Sequence, residues 1–382
     1  MGPLTGLRIV ELGGIGPVPF AAMLLSDLGA DVVRIDRTQP AGFGSWSDPR
    51  YDVLARGRRS VRVDLKHPRG IEVVLRLLET SDALLEGFRP GVAERLGLGP
   101  DAVAKRNRSL VYGRMTGWGQ RGPLSASAGH DINYIALSGA LHAIGTKETP
   151  IVPLNLIGDF GGGALYLALG VVSAVLEARS SGQGQVVDAA MIDGTASLMA
   201  AIYGAFAFGF WADERAVNML DGGAPFYGIY RTADGGHLSV GAIEPQFYGA
   251  FLAGLGLDVN EFPPQFDREQ WPATKSRIAD VILTKTREQW CDIFAGKDAC
   301  VAPVLSLVEA VRHPHVVERQ TFVHVDGVTQ PAPAPRFSRT CSVLPAPPCS
   351  PGEHTATLLK EIGYDEGEIA SLLSSGAVAD AN

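Results

Sequence analysis

Cysteine is scarce in this chain, and the four that occur, Cys291, Cys300, Cys341 and Cys349, show no C-x-x-C spacing and no histidine partners at zinc-finger intervals. Neither a disulfide framework nor a structural zinc site is encoded, and free thiols in a reducing, cytoplasmic setting are expected. Basic charge is also short: 33 lysines and arginines stand against 41 acidic residues, for a formal charge of −8. A general nucleic-acid binder needs a basic footprint, so that class is excluded, and any anionic ligand must be held by a local cluster. The opening MGPLTGLRIVELGG lacks the basic flank and apolar stretch of a secretory signal. The longest charge-free apolar run, Thr195 to Trp211, is interrupted by Gly204 and Gly209. It falls short of the roughly 20 residues of a spanning helix and predicts a buried helix, in the core or at a subunit interface, rather than a membrane contact. A G-x-S-x-G elbow, a G-x-x-x-x-G-K-[ST] loop and an H-E-x-x-H pair are all missing, which removes serine hydrolase, nucleotide triphosphatase and zinc protease chemistry.

What is present is an ordinary globular balance, 46% hydrophobic and 19% charged over 382 residues, longer than the roughly 100–150 residues of one domain. The first half alternates strand and helix patterns, the signature of a parallel α/β sheet. Leu7–Leu12 and Asp31–Asp36 read as strands, and Phe20, Met23, Leu24 and Leu28 mark one face of the helix between them, which Gly29 stops. A helix carrying Ile71, Val74, Leu75 and Leu78 leads to a strand at Ala83–Glu86, and another strand follows at Leu110–Met115. The predicted fold class is α/β: a Rossmann-like large domain over 1–186, completed by 326–382, with a linker helix at 187–221 and a small α+β domain at 222–325. Within the small domain, Ile229–Ile243 reads as a hairpin turning at Asp234-Gly235-Gly236. Pro331 to Pro351 reads as a proline-rich strap, with a last helix near Glu353 to Ser374. Gly14 and Gly16 tempt a dinucleotide reading, but Pro19 stands where the third glycine of G-x-G-x-x-G belongs.

Three ionisable residues lie beside tight turns. Asp159 precedes Gly161-Gly162-Gly163 and a long apolar helix, roughly Phe160 to Arg179, where a carboxylate would serve equally as a plain N-cap. The glycines would also let a ligand oxygen approach backbone N–H donors. His130 follows a run of small residues, and its near-neutral pKa suits a general base, although a lone histidine is more often structural. Glu244 ends an apolar strand before Pro245, where it would be a surface carboxylate or the partner of an imidazole.

The ordered segments GLRIVEL, LSDLGADVVRID, VDLK, EGFRPGVAERLGLG, MTGWGQRGP, IGDFGGGA, GQGQVVDAAMIDG and GEHTATLLKEIGYDEGEI resemble the family III CoA-transferase superfamily along nearly the whole chain. His130 stands where transferases of that superfamily usually carry tyrosine, and NMLDGGAPFYGIY and the Ala242–Tyr248 stretch look like its α-methylacyl-CoA racemase branch. The resemblance implies racemisation at the carbon beside an acyl-CoA thioester, with His130 and Asp159 as the two bases and Glu244 orienting His130. No metal and no cofactor are implied beyond the CoA that the substrate carries. For CoA and substrate it implies contacts at Arg37, Val63, Asp64, Leu65, Lys66, Gly87, Phe88, Arg89 and Arg95, and at Gly129, Asp131, Ile132, Asn133 and Tyr134. It also implies an interlocked homodimer. Two other readings stay open: a CoA-transferase with Asp159 as nucleophile, and a non-catalytic acyl-CoA binder. The acyl group is not specified by the sequence, nor is contact of Arg56, Arg58 and Arg59 with CoA.

Overall fold

Runs of Val, Ile and Leu too continuous for a half-exposed strand belong in a sheet covered on both faces. In the computed structural model, which describes residues 2–39, 48–340 and 344–381, such runs form the centre of a sheet in which six strands line up in parallel. They are β1 (Arg8–Leu12), β2 (Asp31–Asp36), β3 (Arg58–Val63), β4 (Ala83–Glu86), β5 (Val111–Thr116) and β6 (Val186–Ala190). Their order is β3-β2-β1-β4-β5-β6, and a short antiparallel strand, Val378–Ala379, adds a seventh beside β3. Neighbouring residues along β1 serve opposite faces. Val10 and Leu12 join Val33, Ile35, Val61 and Val63 in one core, while Ile9 joins Val32, Leu85 and Val111 in the other. Strand order reverses between β1 and β4, and the crevice at the carboxyl ends there is where ligands bind in open α/β sheets.

The structure departs from the sequence reading in several elements. β3, with the sequence RRSVRV, reads as a basic run yet is a buried strand, because each of its arginines has a partner, as does Arg56 just before it; Arg62 donates to the carbonyls of Arg37, Thr38 and Asp380. Arg56 forms a two-pronged pair with Asp27, Nη2–Oδ2 2.5 Å and Nε–Oδ1 3.1 Å. Arg58 pairs with Glu11 at 2.8 Å, both side chains fully buried, and donates to the carbonyls of Leu54 and Pro19. Arg59 bridges Asp31 and Glu361. The expected linker helix at 187–221 begins as part of β6, since Val187–Ala190 pair with β5. It continues as two short helices, Met191–Leu198 and Ala200–Ala207. The second of these has no buried residue, so the predicted burial of this run is not seen in the single chain. The expected last helix is two, Thr355–Glu361 and Glu366–Ser374, because Gly363 takes a left-handed φ of 88° and Asp365 caps the second. A hairpin, Phe322–Val325 with Val328–Pro331, was not anticipated. Cys341 lies outside the described residues.

Contacts divide the chain into two compact units, one of Met1–Ser138, Leu154–Leu198 and Arg319–Asn382, the other of Gly139–Pro153 and Met199–Glu318. The parallel sheet belongs to the first. The second is built on a three-stranded antiparallel sheet of β7 (Tyr227–Arg231), β8 (His237–Gly241) and β9 (Val301–Pro303), covered by an aromatic core that includes Phe226, Phe251, Trp271 and Trp290. One helical stretch, Leu156–Ser181, is long and apolar enough to cross a membrane by length and composition. Its Leu167, Val171, Ala174, Val175 and Ala178 pack into the sheet's second core.

The Arg56–Asp27 pair yields a direct stability test. Removing one member of a buried pair strands the other charge, so Arg56→Ala should destabilise the fold by about 3–5 kcal/mol. The check is the midpoint of denaturant unfolding at unchanged slope.

Candidate active site

The loops leaving β1 and β5 bring Gly16 and His130 to Asp159. Gly16, at the end of the β1 loop, turns through a φ of 76°, and a Cβ there would lie 3.2 Å from Asp159 Oδ2. Asp159 itself is not a helix cap. It sits within a π-helical turn, Leu156–Ala164, that runs directly into the α-helix Leu165–Ser181. The glycines after it also do something other than expected. A Cβ on Gly162 would lie 2.6 Å from the Thr195 nitrogen, and one on Gly163 2.9 Å from Met191, so these residues admit helix Met191–Leu198 rather than a ligand oxygen. The Asp159 N–H is likewise occupied, donating to Asp131 Oδ2 at 2.7 Å.

His130 precedes helix Asp131–Leu137 in extended conformation. Its N–H donates to Asn133 Oδ1 at 3.0 Å, which fixes the backbone while the ring stays exposed. Behind it, Tyr134 donates from its hydroxyl to the Gly129 carbonyl and meets Trp118 edge-on, centroids 4.7 Å apart. A Cβ on Gly117 would lie 2.0 Å from the Tyr134 ring, so only glycine fits after β5. Burial raises the Asp159 carboxyl above the usual aspartate range. The Asn155 amide, 3.1 Å from Oδ2, opposes this, the Asp131 charge reinforces it, and His130 opposes it. Burial also raises the Tyr134 phenol, with the Asp159 charge adding to the rise and Arg89 countering it. His130, Asp131, Tyr134, Asp159 and Arg89 therefore share one electrostatic neighbourhood.

The expected CoA contacts fall into two sets. Arg37, Lys66, Gly87 and Arg89 are exposed on the loops that follow β2, β3 and β4, and Arg95 is exposed nearby in a short helix, Val92–Arg95. Val63 is buried in the sheet core, with Leu65 and Phe88 packed against that core. Asp64 turns back on its own loop, accepting the Lys66 N–H at 2.9 Å. Ile132 and Asn133 are exposed beside His130. Glu244 is exposed in the second unit, at the end of the loop after β8, where it precedes helix Pro245–Gly254.

Sequence reasoning missed the supports of the site. Glu86, fully buried, accepts the Phe88 N–H at 2.6 Å and the Arg114 Nε–H at 3.0 Å, and Arg114 reaches on to Glu94. This network shapes the Gly87-Phe88-Arg89 loop. An acidic residue ending a buried strand just before glycine is the signal that could have revealed it. Asn155 was missed because nothing local marks it as a partner of Asp159.

A parallel sheet that brings an imidazole and a carboxyl together, with exposed cations on the loops after β2, β3 and β4 that have no ion-pair partner among the described residues, fits a CoA-thioester enzyme. The profile of CoA-transferase family III matches residues 4–355, and the chain belongs to that family. The α-methylacyl-CoA racemase of Mus musculus is 48% identical over 379 residues, spanning 98% of this chain and 97% of that protein. The racemase of the same name from Homo sapiens is 48% identical over 97% of this chain and 96% of that protein. Succinyl-CoA:glutarate CoA-transferase of Mus musculus is 28% identical over 99% and 91%. A crystal structure of a CaiB/BaiF family protein from Brucella suis shares the fold, with a TM-score of 0.81 at 23% identity over 94% of this chain and 99% of that one.

The Asn155 amide favours the ionised form of Asp159, so removing it should favour the proton. In a ¹³C carboxyl titration, Asp159 should titrate above ordinary aspartates, and Asn155→Ala should move it further up.

Proposed function

We infer that the chain is an isomerase that interconverts the (2R) and (2S) epimers of 2-methylacyl-CoA thioesters through an enolate. The observation that carries this reading is the meeting, in one site, of an imidazole and a carboxyl whose surroundings favour its protonated form. End-to-end likeness at 48% identity to proteins named for this activity supports it.

The chemistry asks for two things. An α-proton is many units less acidic than any side chain, at about 1.4 kcal/mol per unit, so the enolate must be stabilised as it forms. With the Asp159 N–H already bonded, the donors left for the thioester oxygen are the Asp131 and Ile132 N–H groups beside His130, which carry no hydrogen bond among the described residues. Inversion then needs a proton acceptor on one face of the planar enolate and a donor on the other. In one direction neutral His130 takes the α-proton and protonated Asp159 returns one to the opposite face. In the reverse direction the carboxylate takes the proton and the imidazolium returns it. No electron leaves the substrate, so the reaction calls for no redox partner.

Arg37, Lys66, Arg89 and Arg95 would hold the phosphates of CoA, because none has an ion-pair partner among the described residues while Arg56, Arg58, Arg59 and Arg114 all do. The large and small domains would act across an interlocked homodimer, with Glu244 from one copy orienting His130 of the other. Exposed apolar side chains in the single chain support a second copy: Leu169 and Leu176 on one helix, and Tyr203, Phe206 and Phe208 in and beside another.

Each epimer of a 2-methylacyl-CoA, incubated separately in deuterated water, should gain deuterium at the α-carbon and drift to a near-equal mixture, with or without chelator. Exchange without inversion, or dependence on metal, would overturn the two-base reading. His130→Ala should cut inversion by about 10²–10⁴-fold and leave CoA binding in place. Glu244→Gln should cost less, and the two losses should not multiply, since both act through one imidazole. A hydroxamate at Asp159 after trapping with hydroxylamine would instead show the nucleophilic chemistry of a transferase.

A further inference from the structure

Asp131 follows His130 directly, yet its side chain turns away from solvent. The residue is 6% exposed, its Oδ2 accepts the Asp159 N–H at 2.7 Å, and its Oδ1 is buried with no hydrogen-bond partner among the described residues. The fit is close. A Cβ on Gly158 would fall 2.5 Å from Asp131 Oδ2 and 3.0 Å from Ile135, so glycine before Asp159 is what lets this carboxylate reach the turn. Leaving a carboxylate oxygen buried and unpaired costs free energy, and its retention calls for a role.

We propose that Asp131 is a positioning residue whose carboxylate locks the Asp159 turn to the His130 segment, so that one side chain sets the separation of the two bases. The inference rests on the two-base reading above. It gives Asp131 a task that contact with substrate would not require, since its carboxylate faces protein. A second consequence follows from charge. The groups facing Asp159 are Asn155 on its own turn, His130, Asp131 and Tyr134 at helix Asp131–Leu137, and the uncharged Gly16 on the β1 loop. Arg89, on the β4 loop, acts on Tyr134. Of these, Asp131 is the fixed negative neighbour that favours the proton on Asp159.

The test uses the full-length protein and three variants, with kcat, KM and pH profiles measured in both directions. Asp131→Asn keeps the shape and an acceptor for the Asp159 N–H but removes the charge. Its thermal midpoint should stay near that of the parent, and the limb of the profile belonging to Asp159 should move to lower pH. Asp131→Ala removes the tie, and kcat should fall by about 10²-fold, the scale of a misplacement of about 1 Å, with KM little changed. Gly158→Ala displaces the carboxylate while both aspartates remain, and should reproduce that kcat loss. A ¹³C titration of Asp159 in Asp131→Asn reads the same downward movement without turnover, so it stands even if the parent fails to exchange deuterium and the racemase reading falls. An unmoved Asp159 titration in Asp131→Asn, or a loss in Asp131→Ala confined to KM, overturns the proposal.

Discussion

The site depends on a backbone-to-backbone contact with no side chain between. Helix Met191–Leu198 lies so close to the Leu156–Ala164 turn that a Cβ on Gly194 would sit 1.8 Å from the Gly162 carbonyl oxygen. Glycine on both sides is the only solution, because any β-carbon would drive the segments apart by more than a packed core tolerates. The approach places the Asp159 carboxyl against Gly16 and its N–H against Asp131. Each neighbour is again a backbone or a short side chain, so the carboxyl has little room to wander. A tighter, α-helical start would not present the same turn, and π-helical turns are rare and frequently found at functional sites.

A second constraint keeps the cations sorted. Three arginines that enter the core meet buried carboxylates: Arg56 with Asp27, Arg58 with Glu11, Arg114 with Glu86. Such pairs contribute little net stability against apolar replacements, but Arg56 and Arg58 also donate to backbone carbonyls. Arg58 ties the start of helix Pro17–Asp27 to the sheet in this way. Arg37, Lys66 and Arg89, which have no ion-pair partner among the described residues, lie instead on exposed loops, where an anion can reach them.

Much of the first unit was legible because burial on both faces leaves a continuous apolar run, and the glycine and proline punctuation around it is strong. Asp31–Asp36 and Ala83–Glu86 are strands as read, and the hairpin turning at Asp234-Gly235-Gly236 lies within the stretch expected. β3 was illegible for a physical reason: three arginines in six residues read as a solvated face unless their partners are known, and those partners, the carboxylates of Glu11, Asp31 and Glu361 for Arg58 and Arg59 and backbone carbonyls for Arg62, come from as far away as the last helices and the C-terminal strand. The role of Gly161-Gly162-Gly163 misled in the same way. Local sequence shows that side chains are missing there, but only the tertiary arrangement shows that a helix, not a ligand, fills the space. Cys341 and its neighbours lie beyond the described residues, so the strap was read on either side of them alone.

The three ionisable residues chosen from sequence illustrate where such reading stops. His130 and Asp159 were separable from structural look-alikes only through resemblance, since a histidine before a helix and an aspartate before glycines are both ordinary. Their surroundings supply what sequence lacked. Burial, one amide and one neighbouring carboxylate act on Asp159 in opposing directions, and the balance leaves a carboxyl that holds its proton more firmly than in water. On the two-base proposal, a carboxyl shifted toward its acid form is the better proton donor, while the Asn155 amide favours the ionised form that the reverse direction needs.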